Sequence, residues 1–229
     1  MTVRIAIIDS GVFAAHPHVQ GVAGGVSIDE DGQDREGPED YVDRLGHGTA
    51  VTAAIKEKAP DAALYAVRVF DRTLSTSLPR LLRAIDWAVR AEMHLINLSL
   101  GTSRPEHEPA LSAAVQNAAA RGVTIVSAAQ DEDGTRWLPG SLPGVIGVRV
   151  DWNCPRDQYR VEMLPAADLP TFHASGYPRP IPGVPPARNL NGISFAVANM
   201  TAFAARALET SPGTGPAVLI HLLAAPFTP

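Results

Sequence analysis

Apolar runs of six to eight residues alternate along this chain with longer stretches whose apolar positions recur at helical spacing. VRIAIID (3–9), ALYAVRVF (63–70), LINLSL (95–100), VTIVSAA (123–129) and GVIGVRV (144–150) are apolar almost throughout, the signature of strands buried on both faces. Between them, HGTAVTAAIKEKA (47–59), SLPRLLRAIDWAVRAE (77–92), PALSAAVQNAAARG (109–122), SFAVANMTAFAARALE (194–209) and PAVLIHLLAA (216–225) read as helices. In the second of these, Leu78, Leu81, Leu82, Ile85 and Val89 fall on one face. The alternation predicts an α/β fold, a mostly parallel central sheet with helices on both faces. Residues 152–192 break the rhythm; they are proline-rich and are expected to be loop with one or two short strands. PRPIPGVPP (178–186) reads as a rigid extended stretch. Too little chain follows it to fold alone, so 1–229 is read as one domain.

Composition narrows the function classes. Hydrophobic residues make up 45% of the 229, enough for a substantial core. A net charge of −5 argues against a surface that tracks phosphates, so nucleic acid is not an expected partner. No run of 18 apolar residues is present, so no membrane-spanning helix is expected. The N-terminus lacks a basic, then long apolar, then small-residue pattern, so a cytoplasmic location is expected, with a trimmed secreted chain as the alternative. Cys154, the single cysteine, has no partner for an internal disulfide. None of this sets an oligomeric state.

In open α/β sheets, ligands gather beyond the carboxyl ends of the strands. Asp9, with Ser10 and Gly11 after it, ends the first strand; Ser99 and Gly101 end the third, and Gln130, Asp131 and Glu132 the fourth. His47 and Ser194 each start a predicted helix. Taken singly, each has a plain structural reading: Asp9 as a turn residue, His47 as a packed histidine, Ser194 as a helix N-cap. Taken together they supply a nucleophile, a base to take its proton and an acid to fix the base's tautomer. The order Asp, His, Ser is one of the known orders for such a triad. A phosphoryl-transfer enzyme is disfavoured, because DSGVFAAH after the first strand has only one glycine.

These segments resemble the subtilisin-like serine peptidases, the subtilases. IAIIDSGV resembles their Asp motif, GHGTAV their His motif and NGISFA their Ser motif. His16-Pro17 and the acidic Asp43 stand at familiar distances, and APDAALYAVRVF, AIDWAVRAEMHLINLSLG and LPGSLPGVIGV follow in the family's order. The resemblance runs from about residue 3 to residue 225. It implies a three-layer α/β/α subtilisin-like fold and a serine endopeptidase in which Asp9 orients His47, His47 is the general base and Ser194 the nucleophile. It implies that Ser99, Leu100 and Gly101 pair with an extended peptide substrate, with Ala128, Gln130 and Trp137 beside them as further substrate-binding positions. It also implies that the glycines flanking His47 let the substrate cleft pass over the imidazole.

The chain departs from the family in places that matter. The family has glycine and then asparagine after VTIVSAA, and that asparagine donates to the oxyanion; here Gln130 and Asp131 stand there. An ionised carboxylate cannot donate, and at about 4 Å with an effective dielectric near 20 it repels a developing anion by roughly 4 kcal/mol. Protonation of Asp131, donation by Gln130 instead, or reliance on the Ser194 backbone N–H are the three ways out. Some proprotein convertases in the family carry Asp at this position. Gln130 and Trp137 both add volume where the family has small residues, which predicts a shallow primary pocket and narrow specificity, fitting trimming of a precursor or leader peptide. The altered oxyanion residues keep a second reading open, a pseudopeptidase that binds peptide without cutting it. Ala198-Asn199 replaces a Pro-His pair and is expected to straighten its helix. No cofactor or metal is expected: DEDGQDREGPED (29–40) reads as a solvated loop, its D-x-D-G start leaving calcium as an option. His16, His18, His94, His107, His173 and His221 read as structural or surface residues.

Overall fold

The computed structural model describes residues 1–164 and 169–225. Strands run over β1 (Arg4–Asp9), β2 (Gly24–Ile28), β3 (Asp34–Arg35), β4 (Ala63–Arg68), β5 (Leu95–Leu98), β6 (Thr124–Ala128), β7 (Val145–Val150), β8 (Tyr159–Leu164) and β9 (Leu169–Ala174). They form one sheet in the order β3-β2-β4-β1-β5-β6-β7-β9-β8. The seven strands from β2 to β9 in that order pair in parallel. Only the outermost strands, β3 and β8, run antiparallel to their neighbours.

Period-two alternation on β1 divides the protein into layers. Ile5 and Ile7 face one core, packed against α1 (His47–Lys58), α4 (Ile193–Thr210) and α5 (Pro216–Ala224). Ala6 and Ile8 face the other, packed against α2 (Leu78–Arg90) and α3 (Glu108–Ala120). Both faces of the sheet are dry, which is why its strands read as continuous apolar runs. The result is the three-layer α/β/α arrangement. Helix α4 is buried along most of its length, from Phe195 to Leu208, which explains its alanine-rich sequence: small side chains let it lie close to the sheet and to α1. Among the described residues no helix is long and apolar enough to cross a membrane.

One predicted boundary needs correction. The third predicted strand stops at Leu98, two residues early, where its pairing with both β1 and β6 ends. Residues 152–192 hold a full antiparallel hairpin, β8 with β9, six residues in each strand. The acidic stretch 29–40 is tied to the protein: Asp29 pairs with Arg35 at 3.0 Å and Arg80 at 3.8 Å, and Asp34 pairs with Arg83. Asp29 and Asp34 are thus neutralised by arginines of the hairpin and of α2, while residues 30–36 stay exposed. No group of three His, Cys, Asp or Glu among the described residues is placed to hold a metal ion. Helix α4 runs unbroken past Ala198.

Candidate active site

The parallel sheet brings the end of β1 and the start of α1 together. Asp9, the last residue of β1, is fully buried. Its Oδ1 accepts from the Ser10 backbone N–H at 2.7 Å and lies 2.7 Å from His47 Nδ1. That contact makes Nδ1 the protonated nitrogen and leaves Nε2 free to take a proton. Burial pushes the imidazole down, but the hydrogen bond to Asp9 and the charges of Asp9 and Asp43 outweigh it, and His47 is held above the usual histidine range.

The glycines around His47 serve the fold. Gly46 caps α1 in the left-handed region, φ +83°, which a side chain strongly disfavours. A Cβ on Gly48 would collide with the Gly11 carbonyl oxygen and sit 3.2 Å from Asp9 Cβ. Gly48 therefore lets the first turn of α1 approach the end of β1, which is what puts His47 against Asp9.

Ser194 is not an N-cap. Gly192 holds that position, and Ser194 is the second residue of α4. Its hydroxyl donates to the Ser99 carbonyl at 3.3 Å, a long bond to the segment that leaves β5. The next residue, Phe195, is buried, with its ring centroid 5.9 Å from that of His47. So α4 brings Ser194 to the Ser99 carbonyl and Phe195 to the His47 ring.

Ser99, Leu100 and Gly101 are partly exposed and make no ladder pairing; Thr102 then pairs antiparallel with Leu138. Trp137 is half-buried, and its ring lies against Gly101, with Cε3 3.5 Å from where a Gly101 Cβ would be. Its indole N–H donates to Asp131 Oδ2 at 2.8 Å. The Gln130 amide donates to the Gly134 carbonyl at 2.8 Å, turned back onto its own hairpin. Both side chains at the family's oxyanion positions are thus engaged locally. Ala128 is the buried last residue of β6, and Trp137 and Ala129 are joined through a backbone bond of 2.9 Å.

A model of the subtilase family matches residues 1–153 of the 229. The chain belongs to the subtilase family. The matched part of this subtilase holds Asp9 and His47; Ser194 lies beyond it, on α4, the helix that packs with α1 in one core. Among relatives, the thermostable alkaline protease of Halalkalibacterium halodurans is 35% identical over 168 residues, 68% of this chain and 44% of that protein. The subtilisin of Bacillus pumilus is 34% identical over 160 residues, 64% of this chain and 55% of that protein. This subtilase thus spans about half the length of these relatives. A cold-adapted subtilisin-like serine proteinase of known structure superposes with a TM-score of 0.72 over 97% of this chain and 81% of its own, at 23% identity. A psychrophilic protease gives 0.73 over 97% and 82%, at 21% identity.

Two residues that tie α1 to its neighbours do not stand out in the sequence. Asp43 reads in the sequence as an acid before the His motif, yet its carboxylate accepts from Ser10, Leu45, Gly46 and Thr49. Lys58, at the far end of α1, donates to Asn199 Oδ1 of α4 at 2.7 Å. Asn199 in turn donates to the Ser175 and Tyr177 carbonyls. The Asn199 position was visible as a departure from the family; its partner lay 141 residues away.

Proposed function

We propose that this subtilase is a serine endopeptidase. The observation that carries the reading is the buried Asp9–His47 contact of 2.7 Å, with Ser194 uncapped at the head of the helix packed beside it. Ser194 Oγ attacks the substrate carbonyl carbon and His47 Nε2 takes its proton. The C–N bond breaks as His47 returns that proton to the leaving amine, and water releases the acyl group by the same route in reverse. Asp9 holds the imidazole tautomer throughout. The Ser194 backbone N–H is the donor this reading assigns to the oxyanion. The substrate is a peptide or protein chain lying extended along Ser99–Gly101. Trp137 against Gly101 supports a shallow pocket that takes small side chains, and with it a dedicated processing role on a precursor or leader peptide. We place that role inside the cell, in keeping with the free, buried Cys154 thiol.

One observation favours a second reading, peptide binding without cleavage: Gln130 and Asp131 spend their side chains on Gly134 and Trp137, and neither offers a donor to the oxyanion. A mixed peptide library incubated with the protein and read by mass spectrometry separates the two. The expected result is a narrow set of cuts after small residues that vanishes in Ser194→Ala. An intact library that the protein nonetheless retains favours binding, and efficient cuts after large aromatic residues contradict the shallow pocket.

A further inference from the structure

The Asp43 carboxylate gathers five hydrogen bonds, from Ser10 and from the stretch 45–49 that flanks His47. Oδ1 accepts from Ser10 Oγ at 2.8 Å, from Leu45 N at 2.9 Å and from Gly46 N at 2.8 Å. Oδ2 accepts from Thr49 N at 2.8 Å and Thr49 Oγ at 2.6 Å. The two hydroxyls are relays. Ser10 Oγ accepts from Gly48 N at 2.9 Å before donating to Asp43, and Thr49 Oγ accepts from Phe13 N at 3.0 Å before doing the same. The residues on either side of His47, Gly46 and Gly48, are therefore both tied to this carboxylate, one directly and one through Ser10. Ser10 is also the residue whose N–H holds Asp9 Oδ1.

We propose that Asp43 is a positioning residue: it fixes the backbone on both sides of His47 to the end of β1, and so sets the imidazole against Asp9. The proposal rests on His47 being the base of the reaction. An ordinary turn-capping acid would satisfy Leu45 and Gly46 alone; Asp43 also reaches the strand that carries Asp9 and the first turn of the helix that carries His47.

The chemistry of the donor set makes the claim testable by an isosteric change. Three of the five donors are backbone N–H groups, placed on both oxygens, and cannot reverse. An asparagine offers one oxygen, so whichever way Asp43→Asn turns, it sets an NH2 against Thr49 N–H or against Leu45 and Gly46 N–H. The charge near His47 is lost as well. Asp9 on β1 and Asp43 are the acids acting on the imidazole. Arg44, His16, His18 and Arg179 line the cavity of about 480 Å³ that Asp43 borders, and they remain in every variant.

The test is an NMR titration of the His47 ring together with fluorophosphonate labelling rates from pH 5 to 9, on the full chain and on Asp43→Asn, Asp43→Glu and Ser10→Ala. Asp43→Asn is expected to titrate His47 at lower pH and to lower the high-pH labelling plateau by about tenfold. Ser10→Ala keeps the charge and is expected to lower the plateau without the titration shift, which covers the case in which Asp43→Asn does not fold. Asp43→Glu restores charge but not geometry, so the titration returns and the plateau stays low. A wild-type plateau in Ser10→Ala, or full recovery in Asp43→Glu, overturns the proposal. If the wild type does not label at all, the peptidase reading fails separately; the His47 titration then decides, a downward shift in Asp43→Asn supporting Asp43's role and an unmoved titration overturning it.

Discussion

His47 Nδ1 and Asp9 Oδ1 meet at 2.7 Å across the junction between the first residue of α1 and the last residue of β1. The acid side of that contact is fully buried and the histidine is held above its usual range. A base must be neutral to act, so reactivity is lost as pH falls through the raised value. The labelling rate of Ser194 is therefore expected to inflect above about pH 6.5. The stability contribution has the opposite sense: it is complete below the ordinary histidine value and fades as pH rises through the raised one. Asp9→Asn is expected to move the inflection down and to cut the plateau by about 10⁴-fold. An inflection at or below the ordinary histidine value in the wild type contradicts the account.

Gly48 and Gly46 separate two costs. Gly48→Ala places a methyl group into the Gly11 carbonyl and presses on Asp9, so a loss of about 1–3 kcal/mol is expected along with the His47–Asp9 contact. Gly46→Ala meets no atom within 4 Å and carries only the left-handed backbone penalty, about 1–2 kcal/mol. Thermal unfolding with parallel labelling checks this: Gly48→Ala loses both stability and labelling, while Gly46→Ala loses mainly stability.

Asp131 and Trp137 form a hydrogen-bonded pair beside Gly101. The carboxylate is pinned by the indole N–H, so Asp131→Asn keeps an acceptor for Trp137 and removes a negative charge. Labelling at pH 7 is expected to rise about tenfold, the equivalent of about 1.4 kcal/mol. Trp137→Gly clears the space against Gly101 and is expected to admit large residues that the wild type refuses. Unchanged cleavage preferences in Trp137→Gly would show that the ring does not set the pocket.

Lys58 gives a stability prediction away from the site. Burial lowers its ammonium to about 8, and the nearby Arg156 pushes the same way against the opposing pull of Glu57. Between about 8 and the ordinary value of 10.5 the unfolded chain binds more protons than the folded one. Stability from this group therefore rises with pH across that window. Lys58→Met is expected to remove the rise, read as the melting temperature of both proteins from pH 7 to 10.5. Parallel curves for the two proteins would count against a depressed Lys58.

The sequence exposed the strands and helices whose environment is uniform. β1, β4 to β7 and the five helices sit in the two dry cores, and their apolar patterns say so. β2 was hidden because GGVSI is short, begins with two glycines and buries a polar residue: Ser27 Oγ accepts from the Arg68 guanidinium at 3.1 and 3.2 Å. β8 and β9 were blurred by Arg160, Glu162 and Pro170, tolerated because β8 is the outer strand and Pro170 precedes the pairing of β9 with β7. At the site, Asp9, His47 and Ser194 were legible because their neighbours are distinctive. Asp43 was not, since its link to Ser10, 33 residues away, is made only by the fold. The Asp131–Trp137 bond was missed for a related reason: volume and charge are legible in the two residues, and the hairpin that joins them is a matter of backbone geometry.

The most direct measurement is covalent labelling by a fluorophosphonate probe of the wild type, Ser194→Ala and His47→Ala, with folding checked by circular dichroism. The account predicts labelling in the wild type that is abolished by either substitution and that follows the deprotonation of His47. A folded wild type that stays unlabelled across pH 5 to 9, or labelling that survives in Ser194→Ala, contradicts it.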